Sequence, residues 1–119
     1  MTVSRGDVIL VDFPFSAGGG SKVRPAVVIQ NDRDNRRLTN VIVAMITSQT
    51  ARAKSEATQL LIDVGTPDGR RAGLVMDSAV NCANLFTIHQ HKVIHLLGKL
   101  SPVLLAKLDL CLKAALELK

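Results

Sequence analysis

Two polar residues, Arg24 and Thr47, stand where a short hairpin would set them face to face. The apolar run Pro25 to Gln30 and the run Val41 to Ile46 flank a polar segment from Asn31 to Asn40. Paired as a symmetric hairpin, Gln30 opposes Val41, Val28 opposes Val43 and Arg24 opposes Thr47. Directly opposed residues have Cβ atoms about 4.5 to 5.5 Å apart. A guanidinium is a planar cation with five fixed donors. Beside a hydroxyl it suits a phosphate, above all one that gains charge in a transition state. The spacing supports a second reading equally well: a one-residue slip parts the pair and leaves an edge arginine with a packed stem and a solvated head.

The neighbouring segment Ser16 to Val23 contains Gly18-Gly19-Gly20 followed by Ser21 and Lys22. A phosphate-loop reading fails, because serine precedes the lysine and a proline-started strand follows where a helix is required. A flap along a polynucleotide backbone fits better, with Ser16, Gly19, Gly20, Ser21 and Lys22 as its contacts. A plain hairpin connection fits it too. Aromatic residues are scarce. Of Phe13, Phe15 and Phe86, Phe13 is expected in the core, and Phe15 is either a base-stacking residue or a lid on the core.

Other groups carry less. His89, His91 and His95 lie close in sequence, but a metal site needs further ligands and only Cys82 is near. A proton-transfer role is open to them, although solvated histidines at a strand end are the stronger expectation. Asp63, Asp68 and Asp77 show no paired spacing, so a two-metal nuclease has no support. No serine nucleophile elbow occurs. Neither a metal nor another cofactor is expected.

The elements that must hold these residues are short. Stretches such as Val8 to Phe13, Thr58 to Asp63, Ala72 to Met76, Ser78 to Cys82 and Val93 to Leu100 are divided by turn residues. Runs of that length predict a barrel or sandwich made from one sheet. After Lys99 the pattern changes. Ser101 can cap a helix and Pro102 suits its first turn. Leu104, Leu105, Leu108, Leu112, Ala115 and Leu116 then recur at helical spacing, with Asp109, Lys113 and Glu117 as a polar strip. The chain of 119 residues is expected to form one domain over 1–119, with 47% apolar residues to fill its core.

The net charge of +5 biases partners toward nucleic acid or an acidic protein segment. It gathers as Arg33, Arg36 and Arg37 in one loop, Lys22 and Arg24 beside another, and Arg52 with Lys54 in a third. No run is long enough to span a membrane, and the start of the chain does not read as a signal peptide. Cys82 and Cys111 form no CxxC pair and are expected as reduced core thiols of a cytoplasmic protein.

Four ordered blocks resemble the MazF/PemK toxin family across essentially the whole chain. They are Arg5-Gly6-Asp7-Val8 with Asp12-Phe13-Pro14-Phe15 and Lys22 to Val28, then Val43 to Ser48, then Asp77-Ser78 with Leu85 to Ile88, then Gly98 to Ser101 leading into a helix. The resemblance implies a mainly β fold, a small SH3-like barrel with a C-terminal helix. It also implies a homodimer and metal-independent cleavage of single-stranded RNA to 2′,3′-cyclic phosphate ends. The family's catalytic arginine falls on Arg24 and its hydroxyl residue on Thr47, with Ser48 the adjacent alternative. Arg52 joins the flap residues as an RNA contact. The partner implied is an acidic, partly disordered antitoxin. Two rivals use the same barrel: a CcdB-type toxin that binds gyrase and cleaves nothing, and an inactive binding module.

Overall fold

Short β-branched runs pair into a single antiparallel sheet, and the computed structural model describes it over residues 2–14 and 21–119. Its strands are β1 (Asp7–Pro14), β2 (Ser21–Val28), β3 (Asn40–Thr47), β4 (Gln59–Ile62), β5 (Ser78–His89) and β6 (Val93–Lys99), lying in the order β4-β5-β3-β2-β1-β6. Three helices join them: α1 (Asp32–Arg37), α2 (Pro67–Arg70) and α3 (Pro102–Leu116). Every neighbouring pair is antiparallel. The sheet curls into a half-barrel. Phe13 on β1 and Phe86 on β5 have two strands, β2 and β3, between them in the sheet order, yet their rings meet edge to face with centroids 5.5 Å apart.

Alternation sends successive side chains to opposite faces. Val8, Val27, Ala44, Ile46, Leu60, Ile62, Val80 and Cys82 meet Leu104, Leu108, Cys111 and Leu112 of α3. Ile9, Val11, Phe13, Ala26, Val28, Val41 and Val43 gather in the second cluster on the other face. The helix is set by its own ends. Ser101 Oγ accepts the Leu104 amide at 3.2 Å, and Pro102 occupies the first turn. At its far end Glu117 is left-handed, and the Leu118 amide returns to the Lys113 carbonyl. Arg5 then ties sheet to helix, donating to the Ile29 carbonyl and to Asp109, each at 2.8 Å.

Three local expectations are corrected. The segment Asn31 to Asn40 is not simply a loop: it contains α1, which carries Arg33, Arg36 and Arg37. Asn31 caps it by accepting the Asp34 amide, and buried Asn35 exchanges side-chain hydrogen bonds with Gln30. Second, β2 opens at Ser21, earlier than its proline suggests, because Ser21 to Val23 pair with Pro14 to Asp12. Third, Ala72 to Met76 is not a strand. Gly73 has φ +75°, and a Cβ there would lie 2.0 Å from the Leu97 carbonyl oxygen, so the chain turns tightly against β6 instead of extending.

Both thiols are buried in the helix-covered cluster. Desolvation, with the second thiol adding to it, pushes Cys82 from an ordinary 9.0 up to about 12. A raised acid pKa means that the folded state holds its proton more tightly. The associated stability is complete below pH 9 and is lost as pH rises from 9 toward 12. The melting temperature of wild type should therefore fall more steeply over that alkaline window than that of Cys82→Ala. Parallel curves for the two proteins would contradict it.

Candidate functional site

The β2–β3 ladder pairs Ala26 with Met45, Val27 with Ala44 and Val28 with Val43, which is the register expected from the sequence. The ladder ends there: Arg24 lies opposite Val11 of β1 and Thr47 opposite Ala79 of β5, and the expected Arg24–Thr47 pair is not part of the β2–β3 ladder. By alternation both belong to the face that carries Ala26 and Met45. Arg24 is exposed, its backbone lies opposite Val11 of β1, and it makes no ion pair among the described residues. Thr47 is half-buried at the close of β3. Its Oγ1 accepts the Gln49 amide at 3.1 Å, which locks the turn and leaves the hydroxyl proton free to be donated.

Two pockets open at this end of the sheet. One, of about 210 Å³, is bounded by Arg24, Pro25, Ile46, Ser48, Ser78 and the Leu74–Met76 loop. The other, of about 270 Å³, is bounded by Thr47, Gln49, Ala51, Arg52 and Gln59. Arg24 thus shares a pocket with Ser48, while Thr47 shares the second with Arg52. Successive residues at a strand end face opposite ways, which parts Thr47 from Ser48; Arg24, past the end of the β2–β3 ladder, borders Ser48 although alternation alone would set it with Thr47. Arg24 borders Ser48 in one pocket, and Thr47 lines the other.

The remaining sequence candidates are spread around this end. Lys22 is exposed on β2 opposite Phe13, whose ring is buried. Arg52 is exposed in the turn that follows β3. Ser21 opens β2 opposite Pro14. Phe15, Ser16, Gly19 and Gly20 lie outside the described residues. Sequence reasoning missed Gln49, Gln59, Ser78 and the Leu74–Met76 loop. Val75, 94% exposed, and Met76, 54% exposed, put an apolar rim on the Arg24 pocket. Gln59 could have been noticed as a polar residue opening an otherwise apolar strand.

The histidines lie elsewhere. His89 ends β5, and its Nδ1 accepts the His91 amide at 3.2 Å, with the two rings stacked at a tilt. His95 lies opposite Leu10 on β6. None of the three lines either pocket. Among the described residues no three His, Cys, Asp or Glu side chains are grouped to hold a metal ion.

Comparison with known proteins places this geometry in context. Residues 4–116 match the family described as PemK-like, MazF-like toxin of type II toxin-antitoxin system. The chain is 34% identical over 119 residues to endoribonuclease EndoA of Bacillus subtilis, covering 99% of this chain and 97% of that protein. It is 32% identical over 120 residues to endoribonuclease MazF6 of Mycobacterium tuberculosis, covering 99% and 100%. Its fold matches an endoribonuclease solved in complex with its cognate antitoxin from a mycobacterial species, with TM-score 0.77 at 24% identity over 98% and 97% of the two chains. A MazE–MazF structure from Deinococcus radiodurans matches with TM-score 0.75 at 16% identity over 100% of both chains.

Proposed function

The chain belongs to the PemK-like, MazF-like toxin family of type II toxin-antitoxin systems and is an endoribonuclease of that family, and from this premise we propose that it cuts single-stranded RNA sequence-specifically and without metal, leaving 2′,3′-cyclic phosphate ends. One observation carries the reading: an exposed arginine free of ion pairs among the described residues borders a pocket with Ser48, at the end of the sheet where Thr47 lines a second pocket. The ribose 2′-oxygen attacks the adjacent phosphorus, forming the new O–P bond as the bond to the 5′-oxygen breaks. The 2′-hydroxyl gives up its proton, and the departing 5′-oxygen takes one up. Substrate supplies the nucleophile, so the protein needs neither an activated serine nor a thiol.

Arg24 binds the non-bridging oxygens and stabilises the charge that they gain. With a pKa above about 12 it stays a cation and is no base at neutral pH. Thr47 donates its proton to the phosphate and holds it in line with the 2′-oxygen, and Ser48 is the alternative for this work. Lys22 and Arg52 lie to either side along the RNA backbone. Phe15, Ser16, Gly19, Gly20 and Ser21 complete the contacts in this proposal.

A homodimer fits the exposed apolar side chains of α3, where Val103, Leu110 and Leu116 are each more than half exposed. An acidic, partly disordered antitoxin fits the chain's net charge of +5. The solved antitoxin complexes of the fold's relatives support that partner. The cytoplasm, where the RNA is, fits a chain in which no described helix is long and apolar enough to cross a membrane.

The test is cleavage of RNA by the purified protein in EDTA. Fragments carrying cyclic phosphate ends are expected. Activity that appears only on adding Mg²⁺ or Mn²⁺ would overturn the mechanism. A protein that cuts no RNA but poisons gyrase would favour the CcdB-type rival.

A further inference from the structure

We propose that Gln59 is a specificity-determining residue: its side-chain amide reads one nucleobase held in the pocket on the Thr47 side of the scissile phosphate. This rests on the nuclease reading and adds to it the position and chemistry of one base contact. Gln59 opens β4 and lies opposite Asn81 of β5, lining the roughly 270 Å³ pocket with Thr47, Gln49, Ala51 and Arg52. Its Oε1 is buried and has no hydrogen-bond partner among the described residues.

That orphan acceptor is the unusual feature. A buried carbonyl oxygen without a donor costs about 1–3 kcal/mol, so packing alone gives no reason for an amide here. A methionine or leucine would fill the same space at the start of an apolar strand. Asn81, opposite it across the sheet, accepts the Ala83 amide through its Oδ1 at 3.0 Å and gives the Gln59 oxygen no donor. Among the described residues no group satisfies Gln59, and a bound ligand would supply one.

The pocket's chemistry describes that group. Thr47 holds the phosphate in the proposed mechanism, so an adjacent concavity receives what is attached one bond away, the ribose and its base. Arg52 at the pocket offers a guanidinium plane on which a base stacks, together with donors for a ring carbonyl or ring nitrogen. Gln59 supplies what Arg52 lacks, an acceptor. A primary amide carries that acceptor beside a donor, the complement of a base edge with an N–H next to a ring nitrogen or carbonyl. A single-stranded base presents such an edge, because no partner strand occupies it. A ribose hydroxyl offers the oxygen a single donor, whereas a base edge meets the acceptor and the donor of the amide together.

The experiment cuts a random-sequence RNA pool with wild type, Gln59→Met and Gln59→Glu, reads the cut sites by sequencing, and records thermal unfolding of each protein. Wild type is expected to favour one base at a nucleotide flanking the cut. Gln59→Met should lose that preference at this position alone and cut the favoured sites about 10- to 100-fold more slowly. Its melting temperature should be unchanged or higher, because an unpaired polar atom has been removed. Gln59→Glu keeps the shape and an acceptor but loses the donor, so it should change the favoured base at the same position. Should Gln59→Met misfold, Gln59→Glu carries the test alone. An unchanged cut-site pattern in the folded variants would overturn the proposal, as would an equal loss at every sequence. If wild type cuts no RNA, the nuclease reading itself has failed, and the two failures are thereby told apart.

Discussion

Arg24→Ala is expected to slow RNA cleavage by about 10²- to 10³-fold or more while leaving the circular dichroism spectrum and melting temperature close to wild type. The magnitude is that of removing one preorganised donor aimed at developing charge. The intact fold follows from the position of the residue. Arg24 is exposed, takes part in no salt bridge among the described residues, and follows the start of a strand whose buried residues are Ala26, Val27 and Val28. Arg24→Lys should also be poor, since a compact ammonium cannot present two parallel donors to one phosphate. The neighbouring hydroxyls are separated by the same assay. A strong loss in Thr47→Ala with little change in Ser48→Ala gives the hydroxyl role to Thr47. The reverse would give the hydroxyl role to Ser48, which shares the Arg24 pocket. Wild-type rates in Arg24→Ala would remove this end of the sheet as the site.

Leu108→Ala should destabilise the protein by about 2–5 kcal/mol, the usual range for deleting a buried leucine side chain with incomplete collapse of the cavity. Leu108 is fully buried at the middle of α3, in the cluster that joins the helix to Val27, Ala44, Ile62 and Val80. The consequence reaches the site, because α3 packs on β4 and β5, the strands that carry Gln59 and Ser78. Denaturant unfolding measures it: the midpoint should drop while the slope, set by the surface exposed, stays constant. Leu110→Ala, at a 65% exposed position of the same helix, is the control. In a monomer it should cost little. A midpoint for Leu108→Ala within about 0.5 kcal/mol of wild type would mean that the helix is not the lid of this core.

Much of the architecture was legible from residue order because its signals are local. Alternating β-branched runs fix strand character, and Ser101-Pro102 fixes the start of α3, since capping depends on side chains within one turn. The β2–β3 register was legible for a similar reason. The hairpin is short enough that only one pairing buries Val28 with Val43, and a slip would turn both faces inside out. The family resemblance rested on the same ordered blocks, and the match over residues 4–116 agrees with it.

What lay beyond the sequence depended on contacts between distant segments. The Ala72–Met76 run has strand composition but follows a turn, because Gly73 is pressed against the Leu97 carbonyl, 24 residues away. The segment that contains α1 is tied down by Gln90, whose side chain donates to the Asn35 and Leu38 carbonyls from 55 and 52 residues away, which composition does not announce. Gln59 shows the limit most plainly. In sequence it is one polar residue among many, and only the curling of β4 beside the end of β3 brings its unpartnered oxygen to the pocket that holds Thr47 and Arg52. Residue types and spacing thus determined the strands, the capped helix and the pairing of Val28 with Val43, all governed by neighbours along one hairpin or one turn. Tertiary structure alone decided which hydroxyl shares a pocket with Arg24 and which side chains wall the space beside it, because those depend on how a curled sheet brings remote strand ends together.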